Sequence, residues 1–363
     1  MKIIPIIVIS FLVAAGIFSS CKKSVTGPPT DTTHHPCDTC NLNQDSLQRI
    51  RDSLAHAFTW QQLTIPQEAS LTGCWVFGPN DIYINGTYLW HYDGTTFTRI
   101  VLYYVDKPTI QVGLADFNLF AFSKTDFWNV GGGIAFHCID GKYVTDNRPG
   151  GVLNSCWGIS SKDMFFVGNG GLIYHYDGIK FDSMISGTTK NLRSVWGTSH
   201  NDVWACGFNS STAETILLHY DGNAWAEDPI SRQKGIYATG GFDAVWANDS
   251  AGHKFVTTSG AILIRKTDNG LWRSDSGLIS NSLGGGNFIG ISPSGNNAND
   301  FMVIGPWGFI SHWNGKTWKQ YTQFFDYSNN DYYGAAFSML GNTACVVGTK
   351  SGASWVAIGQ RKP

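Results

Sequence analysis

The chain has 363 residues, of which 14% are charged and 14% aromatic, with 42 glycines and a formal net charge of −2. Soluble domains usually carry about 25% charged residues, so this balance excludes a surface of long charged helices and favours many short strands joined by tight turns. No run of Lys or Arg exceeds a pair, which excludes the clustered cations that a nucleic-acid partner requires.

In chain order, Lys2 and the apolar run over residues 3–18 read as a signal peptide spanning residues 1–20. The alternative is a short membrane anchor, for which the run falls below the usual span of about 20 residues. Ser19-Ser20-Cys21 resembles a bacterial lipobox, which implies lipidation at Cys21 and attachment to a membrane of the cell envelope, the outer membrane by expectation. Residues 21–57 form the next unit. Positions 22–44 are rich in Thr, Pro, Asp, Asn and His and hold too little apolar surface to order themselves, so they read as a tether. Residues 45–57 place Leu47, Ile50 and Leu54 at helical spacing behind Asp45 as N-cap.

The tether segment HHPCDTC brings His34, His35, Cys37 and Cys40 close together. That spacing is more compact than zinc sites use, so a local disulfide or plain tether composition is expected, with no metal and no cofactor. Cys74 and Cys156 precede tryptophans at one repeat position, and Cys206 and Cys345 fall in the following strand. Cysteines in repeat register are expected to act as small buried hydrophobes.

From Phe58 onward the sequence repeats itself. VWGTSHNDVWACG followed by ILLHYDGNAW is the clearest copy, and related copies surround it, with a degenerate fifth. The turn aspartates Asp81, Asp126, Asp163 and Asp202 recur about every 40 residues, and the longer step to Asp300 leaves room for two copies. Such a period, with four short strands per copy, predicts an all-β propeller over residues 58–363, most simply with seven four-stranded blades. Asp93-Gly94, Asp177-Gly178, Asp221-Gly222 and Asn314-Gly315 lie between apolar runs and are expected to form two-residue type I′ hairpins. His91, His175, His219 and His312 recur in the third strand; one per blade sets them too far apart for one metal ion, so a structural hydrogen bond is expected. The last copy stops after its third strand, while residues 58–65 (FTWQQLTI) resemble a fourth strand. The expectation is that this N-terminal strand completes the last blade and closes the ring, which protects sheet edges.

On DVWACG at residues 202–207 and HYDGNAW at 219–225, the chain resembles secreted bacterial propeller proteins of Bacteroidetes-like envelopes carrying DVWAVG…HWDGxxW repeats. Many of these are lipoproteins. The resemblance implies the fold and an exported location, but no activity.

No G-x-S-x-G elbow, Walker loop or H-E-x-x-H helix is present. The expected function is therefore a non-enzymatic envelope binding module, monomeric, for a glycan, peptide or partner protein. The alternative is a carbohydrate-active hydrolase or lyase on the same scaffold, which would need a pair of carboxylates. Candidate binding residues lie where loops interrupt the repeat: Tyr103, Tyr104 and Asp106 between the first two copies, and Phe324, Phe325, Asp326, Tyr327, Asp331, Tyr332 and Tyr333 before the last. Aromatic faces beside carboxylates suit sugars or peptides, because rings stack while polar groups orient.

Overall fold

The structure, a computed structural model, describes residues 56–105, 118–144, 150–209, 214–232, 242–247, 254–258, 263–266, 272–275, 292–297, 299–324 and 332–361. The expected signal peptide, Cys21, the tether and most of the expected helix lie outside these residues.

Among the described residues the strands form seven sheets. The first holds Gly73–Gly78, Asp81–Asn85, Leu89–Tyr92 and Phe97–Ile100; the third holds Leu153–Ser160, Asp163–Gly168, Ile173–Tyr176 and Phe181–Ser183. The fourth holds Leu192–Ser199, Asp202–Asn209, Glu214–Tyr220 and Trp225–Glu227, and the fifth begins at Phe242–Ala247. Ser292–Asn297, Asp300–Ile304, Ile310–Trp313 and Trp318–Gln320 make the sixth. In the seventh, Tyr332–Leu340, Thr343–Lys350 and Ala353–Arg361 are followed at the edge by Phe58–Leu63, antiparallel to the last strand with Phe58 opposite Arg361.

The second sheet departs from four strands. To Asn118–Ser123, Asp126–Gly131, Ile134–Ile139 and Lys142–Val144 it adds Tyr103–Tyr104, paired parallel to the outermost strand. The innermost strands of consecutive sheets contact one another, and Tyr332–Leu340 also contacts Gly73–Gly78 of the first sheet. The architecture is an all-β propeller, as the repeat predicts.

Each second strand lies between two neighbouring sheets, so both of its faces are apolar. Met164, Phe165, Phe166 and Val167 are all buried in succession, unlike the alternating pattern of a sheet with one wet face. Serines stitch the inner strands together. Ser155 Oγ accepts from Val195 N at 3.3 Å, Ser194 Oγ from Val245 N at 3.1 Å, and Ser338 Oγ from Val76 N at 3.0 Å.

The hairpins differ from expectation. Tyr92 pairs with Phe97 and Tyr220 with Trp225, so four residues join these strands rather than two. Only the glycine takes positive φ, +96° at Gly94 and +95° at Gly222. The aspartate instead caps the loop: Asp93 Oδ1 accepts from the backbone N–H of Thr95 and Thr96 at 2.8 and 2.7 Å, and these bonds hold its carboxyl well below the usual range. In the second sheet Asp140-Gly141 does make the two-residue turn, with φ +49° and +76°.

The described cysteines Cys74, Cys138, Cys156, Cys206 and Cys345 are free and buried. Burial raises the thiol of Cys206 well above its ordinary value and that of Cys138 to about 12, so both stay protonated and act as small core side chains.

Candidate functional site

The repeat places one histidine and one aspartate together at the same end of five sheets. A bulge before each first turn re-aims the chain. The turn aspartate then faces the third strand rather than only its own backbone. His91 bonds Asp81 at 2.9 Å, His137 bonds Asp126 at 2.7 Å and His175 bonds Asp163 at 2.6 Å. His219 bonds Asp202 and His312 bonds Asp300, both at 2.8 Å. Burial pulls His137 below its ordinary pKa, against the opposing effect of Asp126. Trp128 stacks on His137 and Trp204 on His219, each with ring centroids 4.2 Å apart. These pairs fasten the second strand to the third. His137 escaped the sequence reading because FHCIDGKY departs from the HYDG pattern.

The opposite end holds the candidate site. The innermost strands converge on a central channel, and Trp75, Phe120, Trp196 and Phe337 line both of its cavities. Trp75 and Phe120 meet edge to face at 5.0 Å, and Phe120 and Trp196 at 5.9 Å. Beyond this belt, toward the starts of the strands, lies a cavity of about 200 Å³ whose charged lining, among the described residues, is Arg193 and Asp243. Their closest N–O distance is 3.6 Å; the Asp243 side chain is 4% exposed, and that of Arg193 is 42% exposed. The Arg193 guanidinium also lies 4.1 Å above the centroid of Phe208, an arrangement that holds a cation flat without consuming its donors. The second cavity, about 420 Å³, lies at the other end of the belt and adds Phe77, Phe122, Trp246 and Met339.

The residues expected to bind from sequence fare differently. Tyr103 and Tyr104 form the added edge strand of the second sheet, on the outer rim rather than at the channel. Tyr104 packs on Phe136 at 5.9 Å, while Tyr103 is exposed. Phe324 is a correction. At 1% exposure it lies in the core against Trp60 and Trp355, so its ring serves packing and offers no face to a ligand. Tyr332 and Tyr333 open the innermost strand of the seventh sheet, at the strand-start end where the Arg193 cavity lies. Asp106, Phe325, Asp326, Tyr327 and Asp331 lie outside the described residues.

Two glutamates have structural partners. Buried Glu68 accepts from Thr87 N, Tyr88 N and Trp90 Nε1 at 2.9, 3.3 and 3.0 Å. Glu227 pairs with Arg232, which lowers its pKa. Sequence reasoning missed Arg193 and Asp243. Their signal was a charge three residues before the inner-strand tryptophan in NLRSVWG and GFDAVWA, where the first and third copies carry Thr72 and Asn154.

No family model matches the chain, and no curated protein matches it. Among solved structures it is similar to one described as YCF48 bound to D1 peptide, at 16% identity and a TM-score of 0.59, over 84% of this chain and 95% of that one. At that identity the likeness speaks to the propeller fold alone.

Proposed function

We propose that this chain is a non-enzymatic propeller lipoprotein of the bacterial envelope, anchored through Cys21, that takes a peptide or protein partner at the mouth of its central channel. The observation that carries the reading is the juxtaposition of a half-exposed, ring-stacked Arg193 with buried Asp243 above an aromatic belt. A cavity of about 200 Å³ is smaller than the roughly 300–1,000 Å³ of small-molecule pockets and suits a single inserted side chain. Arg193 favours a carboxylate there, from an acidic side chain or a chain terminus. The similar structure named above holds a peptide, which agrees with this class of partner. A glycoside hydrolase would need two carboxylates at the bond it breaks, and among the described residues this cavity's lining supplies one.

We also propose that the seven sheets are seven blades of a closed ring, with Phe58–Leu63 as the clasp of the last. Its pairing with the C-terminal strand supports this.

The reading is tested by probing the full chain with an array of acidic, neutral and amidated peptides, alongside Arg193→Glu. Selective capture of carboxylate-bearing peptides, lost in a variant that melts like the parent, supports the proposal. Capture that is unchanged in Arg193→Glu refutes it. The anchor is tested separately, by palmitate labelling that disappears in Cys21→Ala.

A further inference from the structure

In one of the five histidine–aspartate pairs a second histidine reaches the carboxylate itself, whereas His56 bonds the imidazole of His312. His200, in the first turn of the fourth sheet, extends to the third, where its Nδ1 lies 3.0 and 2.9 Å from the two carboxylate oxygens of Asp163. Asp163 is already bonded to His175 Nε2 at 2.6 Å. The two imidazoles meet edge to face with centroids 5.3 Å apart. One nitrogen from each histidine and one Asp163 oxygen all fall within 4.8 Å of one another.

At two other junctions a cation makes the corresponding contact, from the matching turn in one case and from the end of the last strand in the other. Lys124 of the second sheet bonds Asp81 of the first at 2.9 Å, and Arg361 of the seventh bonds Asp300 of the sixth at 2.7 Å. Those are cations without a lone pair, and they act as latches between neighbouring sheets. At the third junction the latch residue is an imidazole, which can present a lone pair where lysine and arginine cannot. Two imidazoles and a carboxylate form an N₂O donor set, which suits zinc and its transition-metal neighbours rather than magnesium or calcium.

We infer that Asp163, His175 and His200 form a divalent transition-metal site of the zinc class, stapling the third sheet to the fourth. Ligand bonds of about 2.0–2.2 Å place donor atoms roughly 3.3 Å apart in a tetrahedron. The observed contacts of 2.6–3.0 Å to Asp163 need to open by roughly 0.3–0.7 Å, with the two imidazole nitrogens already within 4.8 Å of each other. Phe165 forms the apolar wall, 4.8 Å from the His175 ring and 5.7 Å from that of His200. The His200 side chain is 40% exposed, which gives the ion a route in and leaves room for a water as fourth ligand. Binding requires the imidazole nitrogens facing Asp163 to present their lone pairs, with each ring proton on the other nitrogen. The strand-three histidines alone could not make this site, because its third ligand comes from a turn of the next sheet.

The test uses full-length chain carrying Cys37→Ser and Cys40→Ser, which silences the compact HHPCDTC cluster, stripped with chelator and titrated calorimetrically with zinc chloride. One equivalent should bind, raise the melting temperature and be released by acid. His200→Lys keeps a cation opposite Asp163, as Lys124 does for Asp81, and His200→Gln keeps a hydrogen-bond donor. Each should weaken zinc binding at least about tenfold while melting like the metal-free parent. His91→Gln, at the pair latched by Lys124, should bind like the parent. Cobalt should give a visible absorption band that both His200 variants lose. Absence of saturable zinc binding by the parent overturns the inference, as does equal affinity in the parent and in whichever His200 variant folds.

Discussion

Arg361, at the end of the last strand, grips Asp300 of the sixth sheet with two nitrogens, Nη1 at 2.9 Å and Nη2 at 2.7 Å. The contact joins the C-terminus to the start of a second strand 61 residues earlier. Asp300 also accepts from His312 and Asn296. Burial alone would raise its pKa, but the hydrogen bonds from His312, Arg361 and Asn296 and the charge of Arg361 outweigh it and hold the carboxyl well below the usual range.

Asp300→Asn should therefore cost about 3 kcal/mol at neutral pH, because it leaves Arg361 largely buried without its countercharge. The sign of the pH dependence follows from the depressed pKa. The native carboxylate contributes fully above its unfolded pKa of about 3.9, and that contribution is lost as pH falls through the lower folded value. Urea unfolding of parent and variant should differ by a constant amount between pH 5 and pH 7, and the gap should shrink steadily below about pH 4. A gap that stays undiminished down to pH 2.5 would contradict this assignment.

Gly197 ends the flat part of an inner strand where the ring of Trp157, from the third sheet, lies against it. A Cβ there would come within 2.6 Å of that ring and 2.7 Å of the Asp202 carbonyl oxygen. Gly197→Ala is expected to destabilise by about 1–3 kcal/mol through overpacking. The double variant with Trp157→Leu should show a smaller added cost for the methyl, since the indole accounts for part of the clash and the Asp202 carbonyl for the rest. Purely additive melting shifts would place the strain elsewhere.

Much of the fold was legible because it is written in short spacings. Trp225 follows Gly222 by three residues and packs against Phe165 of the adjacent sheet, a relation that recurs with the repeat. The role of Asp202 was half legible. Its place in a turn showed in SHNDVW, but its partner His219 lies 17 residues away across a hairpin. Arg193 and Asp243 were hidden for a stronger reason. They are 50 positions apart in the chain and meet only because neighbouring inner strands lie side by side, so no local pattern links them. Phe324 misled because FF in a polar loop looks exposed, whereas a short 3₁₀ turn, Thr322–Phe324, folds the first ring inward. His200 carried no signal in the sequence, since its partner Asp163 belongs to another sheet.

That inward turn separates packing from recognition. Phe324→Ala removes a fully buried ring and should cost about 3–5 kcal/mol. Tyr332→Ala with Tyr333→Ala, at the start of an inner strand, is expected to weaken peptide capture. At a temperature where Phe324→Ala remains folded, its capture should equal that of the parent. Reduced capture by folded Phe324→Ala would return that residue to the binding surface.

The clasp proposal gives the most demanding prediction. Phe58 and Trp60 enter the apolar layer between the sixth and seventh sheets, beside Tyr321, Phe324 and Trp355. Ile65 anchors the segment beyond the strand: its N–H donates to Ser354 Oγ at 2.9 Å, and its carbonyl accepts from the same hydroxyl at 2.9 Å. Deleting residues 58–65 would leave Ala353–Arg361 as an open edge and uncover that layer, at a cost comparable to the roughly 5–15 kcal/mol that holds a typical domain together. Loss of the single cooperative melting transition is expected, with gain of dye-accessible apolar surface. Adding the peptide FTWQQLTI in trans should restore part of the transition in a concentration-dependent way, as binding to the native state alone requires. A truncated chain that melts cooperatively at the parent's temperature would show that the strand is an appendage and that the ring is held by the other contacts of the seventh sheet.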